Sequence, residues 1–378
     1  MVHAVYIHIP FCRNKCHYCD FNTYVLKGQP VEDYLEALGR EMVLTFSTVP
    51  TDDVKTIFVG GGTPTALTPS QMGKFLAMVQ RYVKPWSPHI EFTMEANPGS
   101  TDIEKLRVMK DGGVNRLSFG VQTFDPVLLK AIGRIHTVDE VYESIHLARE
   151  VGFSNISIDL IFGLPNQTLN HIKHSLGKSF ELGLQHFSIY GLKIEENTPF
   201  HTLYEKNQLP LPHEDEELAM YELIMKQMEE HGYSQYEISN FAKKDFDSKH
   251  NTTYWRNEDY YGFGAGAHGY LNGERHVNLK GINEYIDGSK VDRLPRLDSF
   301  NVDQSVSMED FMMVGLRLLQ GINDQRFQER YQKSFFDVFA IPIQDNVDKG
   351  LLVRVGDTLK LSKKGILFGN DVFASFIS

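Results

Sequence analysis

Two rhythms of apolar residues alternate along the first 235 positions. Short runs rich in Val, Ile and Phe stand at 4–10 (AVYIHIP), 54–62 (VKTIFVGGG), 89–98 (HIEFTMEANP), 114–122 (VNRLSFGVQ), 154–165 (SNISIDLIFGLP) and 184–192 (LQHFSIYGL). Between them, at 31–46, 69–82, 101–111, 138–151, 168–182 and 214–231, apolar residues return every three or four positions. The runs predict strands and the intervening segments predict amphipathic helices. Most runs are apolar on both faces, as parallel strands covered on both sides would be. Strand–helix alternation of this kind implies βα units and a parallel sheet. Six units make a partial or open (β/α) barrel, with a flat doubly wound sheet as the competing arrangement.

The polar and glycine positions favour the barrel. The cysteines follow the first strand and Gly60 to Thr63 follow the second. Glu95 and Asn97 end the third, Gln122 ends the fourth, Asp159 lies in the fifth, and Tyr190 ends the sixth. Sites of (β/α) barrels gather at the C-terminal strand ends. After about 235 the pattern changes to a tract dense in aromatic, His, Asn and Gly residues, through GFGAGAHGY (262–270). Helical patterns follow at 307–322 and 336–352. A hairpin around Gly356-Asp357 and a closing helix then complete a small α+β domain of winged-helix type. The expected organisation is a barrel over 1–235, a connecting site-bearing segment over 236–300 and a C-terminal domain over 301–378.

Composition narrows the chemistry. The chain has 378 residues, 42% hydrophobic and 23% charged, with a formal net charge of −11. An acidic surface disfavours nucleic acid, so the winged-helix-like end reads as structural. No apolar run is long enough for a membrane-spanning helix, and the first residues lack the features of a signal peptide. Only three cysteines occur, Cys12, Cys16 and Cys19, all in IPFCRNKCHYCDF (9–21). That argues against a disulfide framework and for a reducing, cytoplasmic setting.

The cysteine spacing is C-x3-C-x2-C. A zinc site would need a fourth ligand, for which His8 or His17 is available. A four-iron cluster held by three thiolates would instead leave one iron open. GGGTPT (60–65) is not a Walker A loop, because no Gly-Lys-Ser/Thr follows. Its glycines permit close backbone approach to a ligand, or simply a tight turn. The glycines of 262–270 do not open a helix after the first strand of a βαβ unit, so nicotinamide dinucleotides are not expected.

C-x3-C-x-aromatic-C, with Tyr18 before the last cysteine and GGGTPT after the second strand, resembles the radical S-adenosylmethionine (SAM) superfamily. Over nearly the whole chain the resemblance is to its coproporphyrinogen III oxidase-like branch, and within that to the HemW group of haem chaperones. It implies a TIM-like (β/α)6 radical SAM barrel with Cys12, Cys16 and Cys19 on a [4Fe-4S] cluster. It also implies SAM held by Tyr6, Gly61, Gly62, Thr63, Glu95, Gln122, Arg134 and Asp159. HNTTYW (250–255) resembles the H-N-x-x-Y-W signature of that group, which implies haem contacts at His250, Asn251, Tyr254 and Trp255, with His250 as candidate axial ligand. Without the resemblance, a capped turn with a core Trp is the ordinary reading. His268 is a weaker second candidate. Implied partners are haem, haem-acceptor proteins, one of which could lie at a membrane, and an electron donor such as flavodoxin or ferredoxin. The alternative is oxidative decarboxylation of coproporphyrinogen III. The oxidases carry a further cysteine where this chain has Phe21, and a longer segment before the cluster.

Overall fold

A computed structural model describes residues 2–290 and 293–377. Six parallel strands are hydrogen-bonded in sequence order: β1 (Ala4–Ile9), β2 (Val54–Gly61), β3 (Trp86–Ala96), β4 (Arg116–Gln122), β5 (Asn155–Phe162) and β6 (His186–Gly191). Helices α1 (Val31–Thr48), α2 (Pro69–Tyr82) and α3 (Ile103–Asp111) follow the first three strands. Helices α4 (Pro126–Ala131) and α5 (Val138–Glu150) follow the fourth, and α6 (Leu169–Glu181) follows the fifth. After β6 come α7 (Pro199–Glu205) and α8 (Glu214–Glu230). The partial barrel of βα units is therefore present, with boundaries within two or three residues of those expected.

Local chemistry sets these boundaries. The Thr68 hydroxyl takes the Gln71 N–H while the Gln71 side chain returns to Thr68 N–H, and Thr137 with Glu140 repeats this at α5. Each such box satisfies two donors that a helix start would leave open. Behind the caps, Met72, Phe75, Leu76 and Val79 of α2 are buried against the sheet with Leu35, Leu38 and Met42 of α1. Each fully buried side chain of that size contributes roughly 1.5–3 kcal/mol.

Two features depart from the sequence expectation. First, the strands are not uniformly apolar. In β4 the residues Arg116, Ser118 and Gln122 face the barrel interior, while Leu117, Phe119 and Val121 pack outward under the helices. The barrel interior is a polar column. Second, the sheet is longer than six strands. The stretch 260–271, which contains GFGAGAHGY, supplies β9 (Tyr260–Phe263), parallel to β1 on its free side, and turns into β10 (His268–Leu271). Antiparallel strands β11 (Glu274–Asn278) and β12 (Arg296–Asn301) extend that edge, while β7 (Ser234–Glu237) and β8 (Asn240–Ala242) extend the other. The turn depends on Gly262, where a Cβ would lie 1.8 Å from the His268 carbonyl oxygen.

The C-terminal residues form a separate apolar cluster built around Phe311, Met312, Phe327, Phe335, Leu359 and Phe373. The expected hairpin is present as Leu352–Val355 paired with Thr358–Leu361 around Gly356 at φ +61°. The expected helices are shorter. The first spans Gln304–Gly315 and stops where Gly315 packs against Ile322, whose Cγ2 would lie 2.5 Å from a Cβ. The second is broken at Phe339 into Phe335–Val338 and Ala340–Asp348. A helix at Asp324–Tyr331, which buries only Asp324, Phe327 and Tyr331, was not expected from the pattern. Among the described residues no helix is long and apolar enough to cross a membrane.

Candidate functional site at the C-terminal strand ends

The interior column opens at the C-terminal ends of β1–β6 into a cavity of about 540 Å³. Its wall includes the three cysteines, Gly61 to Thr63, Glu95, Gln122, Arg134, Asp159, Tyr190 and Asn251. Six strands and the loops above them thus bring most of the expected site residues to one place.

The cysteine segment is tied down at both ends. Phe11–Cys12 pairs with Tyr24–Val25, so the chain leaves and re-enters the site side by side. In between, the His17 N–H donates to the Ile132 carbonyl at 3.0 Å and the Asn14 amide donates to the Gly133 carbonyl at 2.8 Å. The loop therefore rests on the turn after α4. That turn sends Arg134 back into the cavity, where it donates to Asn97 Oδ1 at 2.6 Å, to the Gly120 carbonyl, and to Cys16 Sγ at 3.5 Å. Asn97 in turn donates to Thr63 Oγ1 at 2.8 Å, and Thr63 lies 3.4 Å from Cys12 Sγ. A chain of contacts, Cys12–Thr63–Asn97–Arg134–Cys16, links the ends of β1 to β4. Arg134 is a half-buried member of this chain, turned into the cavity by these contacts.

The glycine loop is pressed against the cysteine segment. Gly62 N–H donates to the Ile9 carbonyl and Thr63 N–H to the Phe11 carbonyl. A Cβ on Gly62 would lie 2.7 Å from the Phe11 carbonyl oxygen, and Gly61 has φ +103°. Gly61 N–H donates to Glu95 at 3.2 Å. With these three donors used, the loop is no nest for phosphate oxygens.

Neither nearby histidine completes a zinc site. His8 has Tyr6 O–H on Nδ1 at 2.9 Å and the Asn22 carbonyl on Nε2 at 2.9 Å. His17 Nδ1 is bonded to the Ala131 carbonyl. Among the described residues no three His, Cys, Asp or Glu side chains are gathered closely enough to hold a single metal ion. Among the described residues, neither His8, with both ring nitrogens bonded, nor His17, with Nδ1 on a carbonyl, stands as a fourth ligand to the three thiols. Burial pushes the Cys12 thiol up, partly offset by Thr63, and pushes Cys19 to about 11 against the effect of the Phe21 N–H. Thiolates in this position need cationic partners, and a cluster's iron would provide them.

The carboxyls in the column are also displaced. Glu95 is raised to about 8 by burial first, then by the Asp159 charge, with Gly61 N–H pulling the other way. Burial raises Asp159 too, although Ser118 Oγ donates to it at 3.0 Å. Arg116 is 2% exposed at the floor of the cavity. Arg116 and Ser118 were not singled out from the sequence, and Asn97 was noted there only as a polar strand end, not as a cofactor contact. The signal for the first two was the alternation within RLSFGVQ, which places them on the face of Gln122.

Five expected residues, Tyr6, His250, Tyr254, Trp255 and His268, do not reach the wall. Tyr6 lies behind Phe58, stacked at 6.3 Å, bonded to His8. HNTTYW forms helix α9 (Lys249–Trp255), with Ser248 as cap and Glu91 of β3 accepting the Lys249 and His250 N–H groups at 3.1 Å. This helix sits in the lower barrel. His250 is 0% exposed, with Nδ1 bonded to Thr56 Oγ1 at 2.9 Å and Nε2 to Tyr254 O–H at 2.8 Å. Burial, then the Arg116 charge, lowers its pKa to about 3. Trp255 turns toward the C-terminal cluster, under the Arg317 guanidinium at 4.4 Å. Of the signature only Asn251 lines the cavity. His268 is exposed on β10, outside it.

The profile of the Radical SAM superfamily matches residues 6–178, and that of the HemN C-terminal domain matches residues 302–368. The chain is 48% identical to the haem chaperone HemW of Bacillus subtilis strain 168, over 99% of both chains. It is 33% identical to HemW of Escherichia coli K12, over 99% of this chain and 98% of that one. The chain belongs to the HemW family of radical SAM proteins. Coproporphyrinogen III oxidase (HemN) from Escherichia coli has the same fold, with a TM-score of 0.85 over 99% of this chain and 90% of that one, at 21% identity. Membership of the HemW family accounts for the placement of the cysteines, glycine loop and strand-end polar groups around one cavity. It leaves the burial of His250 to be explained by the structure.

Proposed function

We propose that this protein is a haem chaperone of HemW type, which binds haem, a [4Fe-4S] cluster and SAM and passes haem to acceptor proteins. The observation that carries this reading is three thiols that neither His8 nor His17 completes, at the mouth of a polar barrel cavity, in a chain related end to end to HemW proteins. Cys12, Cys16 and Cys19 would hold the cluster, which supplies one-electron chemistry at an iron open to SAM. Arg134 and Asn97 fix the cysteine loop. Gln122 and Asp159, with Gly61 to Thr63, offer polar groups for the ribose and amino-acid ends of SAM. Glu95 at about 8 is largely protonated at neutral pH and can donate as well as accept there.

The haem is read as docking at the mouth. Phe21, 60% exposed, and Tyr190, 41% exposed, both line this cavity. Flat aromatic faces suit a porphyrin. As placed, His250 offers no nitrogen to iron, so its part is to fill the lower barrel. An electron donor such as flavodoxin or ferredoxin would approach the same face.

Haemin titration of the anaerobically reconstituted protein tests the reading. A saturable Soret shift, followed by transfer of haem to an apo acceptor, is expected. Absence of any shift refutes it. Formation of protoporphyrinogen IX from coproporphyrinogen III, SAM and reductant, above a Cys16→Ser control, would replace it with the oxidase activity.

A further inference from the structure

The cysteine loop borders two openings. One is the barrel cavity. The other is a shallow cleft of about 80 Å³ between the loop, the segment after β3 and the turn after α4. Arg13, Asn14, Cys16, Gly99, Ile135 and Glu140 are among the residues around it. Cys16 alone of the three cysteines lines both openings. A cluster held by this loop is thus bordered from outside through Cys16, without passage through the cavity.

The charge differs between the two sides. On the cavity side Lys193 is paired with Glu195 at 2.7 Å, and Asp20 adds a second acid. On the cleft side Arg13 is exposed and makes only a long 3.4 Å contact to the Gly99 carbonyl. Lys15, which also borders the cavity, and Lys130, in the last turn of α4, are exposed too. Among the described residues none of these three cations forms an ion pair. Of the other charged residues on the cleft, Arg134 is turned inward to Asn97 and the Gly120 carbonyl, and Glu140 accepts from the Thr137 N–H and hydroxyl. The chain has a net charge of −11, and exposed lysines elsewhere, such as Lys74 and Lys178, stand beside glutamates. Three unpaired cations on the loop and the turn beneath it are a local reversal. Ile135 is 66% exposed at the same cleft. An exposed apolar side chain among unpaired cations suits an acidic protein surface.

We propose that this outer cleft is where the cluster's electron enters, and that its partner is a one-electron carrier protein with an acidic docking face. The inference rests on the cluster and electron donor of the proposed function, not on haem binding. One electron leaves the carrier, a flavin hydroquinone or a reduced iron–sulfur centre, and reduces the oxidised cluster by one unit past Cys16. No proton moves and no bond is made. Entry from the cleft leaves the cavity mouth free, so carrier and haem can be bound together.

The test follows reduction of the reconstituted cluster by its visible absorbance, with flavodoxin hydroquinone and with photoreduced 5-deazariboflavin, a small uncharged reductant. Wild type is compared with Arg13→Glu, Arg13→Glu/Lys130→Glu and Lys193→Glu, the last reversing a cation on the cavity side. At low salt flavodoxin should reduce Arg13→Glu roughly tenfold more slowly than wild type, and the double variant more slowly still. Raising the ionic strength should slow the wild type and narrow the difference. Ile135→Ser should slow flavodoxin a few-fold with the salt dependence kept. The deazaflavin, which needs no docking site, should reduce every variant at the wild-type rate, with iron content unchanged. Equal flavodoxin rates in wild type and the double variant overturn the proposal. So does Lys193→Glu slowed as much as Arg13→Glu, or a wild type that the deazaflavin reduces and flavodoxin does not. Binding of labelled flavodoxin to the iron-free protein, followed by fluorescence anisotropy, should weaken in the same order, and equal binding by all variants also overturns the proposal. A wild type that loads no iron fails the cluster reading, and the anisotropy series then decides for the cleft. One that binds no haemin fails the haem-chaperone reading alone.

Discussion

The cysteine loop and helix α9 carry the two motifs that stand out in the sequence, and the fold treats them in opposite ways. The loop lies above the strand ends, with three half-buried thiols facing a cavity and neither neighbouring histidine placed to complete them. The helix lies inside the barrel, with both nitrogens of His250 occupied and the ring stacked 5.3 Å from Phe58. Both segments hold residue types that bind metals. What separates them is whether the fold has already spent their hydrogen-bonding capacity. Groups left unsatisfied at a cavity are open to a ligand, and groups satisfied in a core are packing.

Removing one residue from each region sharpens the contrast most. Cys16→Ser should abolish the cluster, with bound iron falling from about four per chain to near zero after anaerobic reconstitution. Its melting temperature without iron should barely change, because the side chain is half-buried and its hydrogen bonds, a 3.5 Å contact from Arg134 and one with Tyr18, can both be kept by a serine hydroxyl. Full iron retention by this variant would break the comparison. His250→Ala should do the reverse. It strands the Thr56 and Tyr254 hydroxyls in the core and should cost roughly 2–4 kcal/mol of stability, while iron content stays at the wild-type level. A variant that melts like wild type but no longer shifts haemin absorbance would make His250 a ligand after all.

The same histidine gives a pH test. Its folded pKa near 3 lies below the unfolded 6.5, so the unfolded chain binds more protons between those values. Its contribution to stability is complete above about pH 6.5 and is lost as pH falls toward 3, by up to about 5 kcal/mol. Urea titrations at pH 5 and pH 7 should show this slope in the wild type and a reduced one in His250→Phe.

The fold was largely legible because periodicity reports directly on burial. All six barrel strands and six of the helices over 31–231 fell where apolar spacing put them. The cysteine cluster and glycine loop were legible because few structures require three thiols in eight residues. The α9 helix was harder. HNTTYW has no apolar stripe, and its position depends on Glu91, more than 150 residues away, accepting its first N–H groups. Strand β9 was missed because Tyr260–Phe263 is too short to show an alternation and runs straight into a glycine-rich turn, although Gly262 is what lets β9 and β10 meet. Arg116 was passed over because a single arginine beginning an apolar run resembles a surface residue until the sheet turns it inward.

Smaller effects test how the mouth itself is organised. Asn97 is a joint, donating to Thr63 and accepting from Arg134. Asn97→Ala should cost about 1–2 kcal/mol and should broaden the electron paramagnetic resonance signal of the reduced cluster, because Arg134 loses its register on Cys16. An unchanged spectrum with normal iron would show that the loop is held by its contacts to the α4 turn alone.

Phe21 should show the smallest change in stability and the most selective change in binding. Its ring is 60% exposed, so Phe21→Ala should move stability by no more than about 0.5 kcal/mol. Because the ring lines the cavity beyond the last cysteine, iron and SAM binding should be unaffected. Haemin affinity should fall a few-fold, about the value of one aromatic face. Phe21→Trp should restore it, whereas a cysteine at this position should not, since it provides no flat surface. If Phe21→Ala binds haemin as wild type does, the macrocycle does not rest on this ring. The site would then have to be sought on a surface remote from both the cysteine loop and α9.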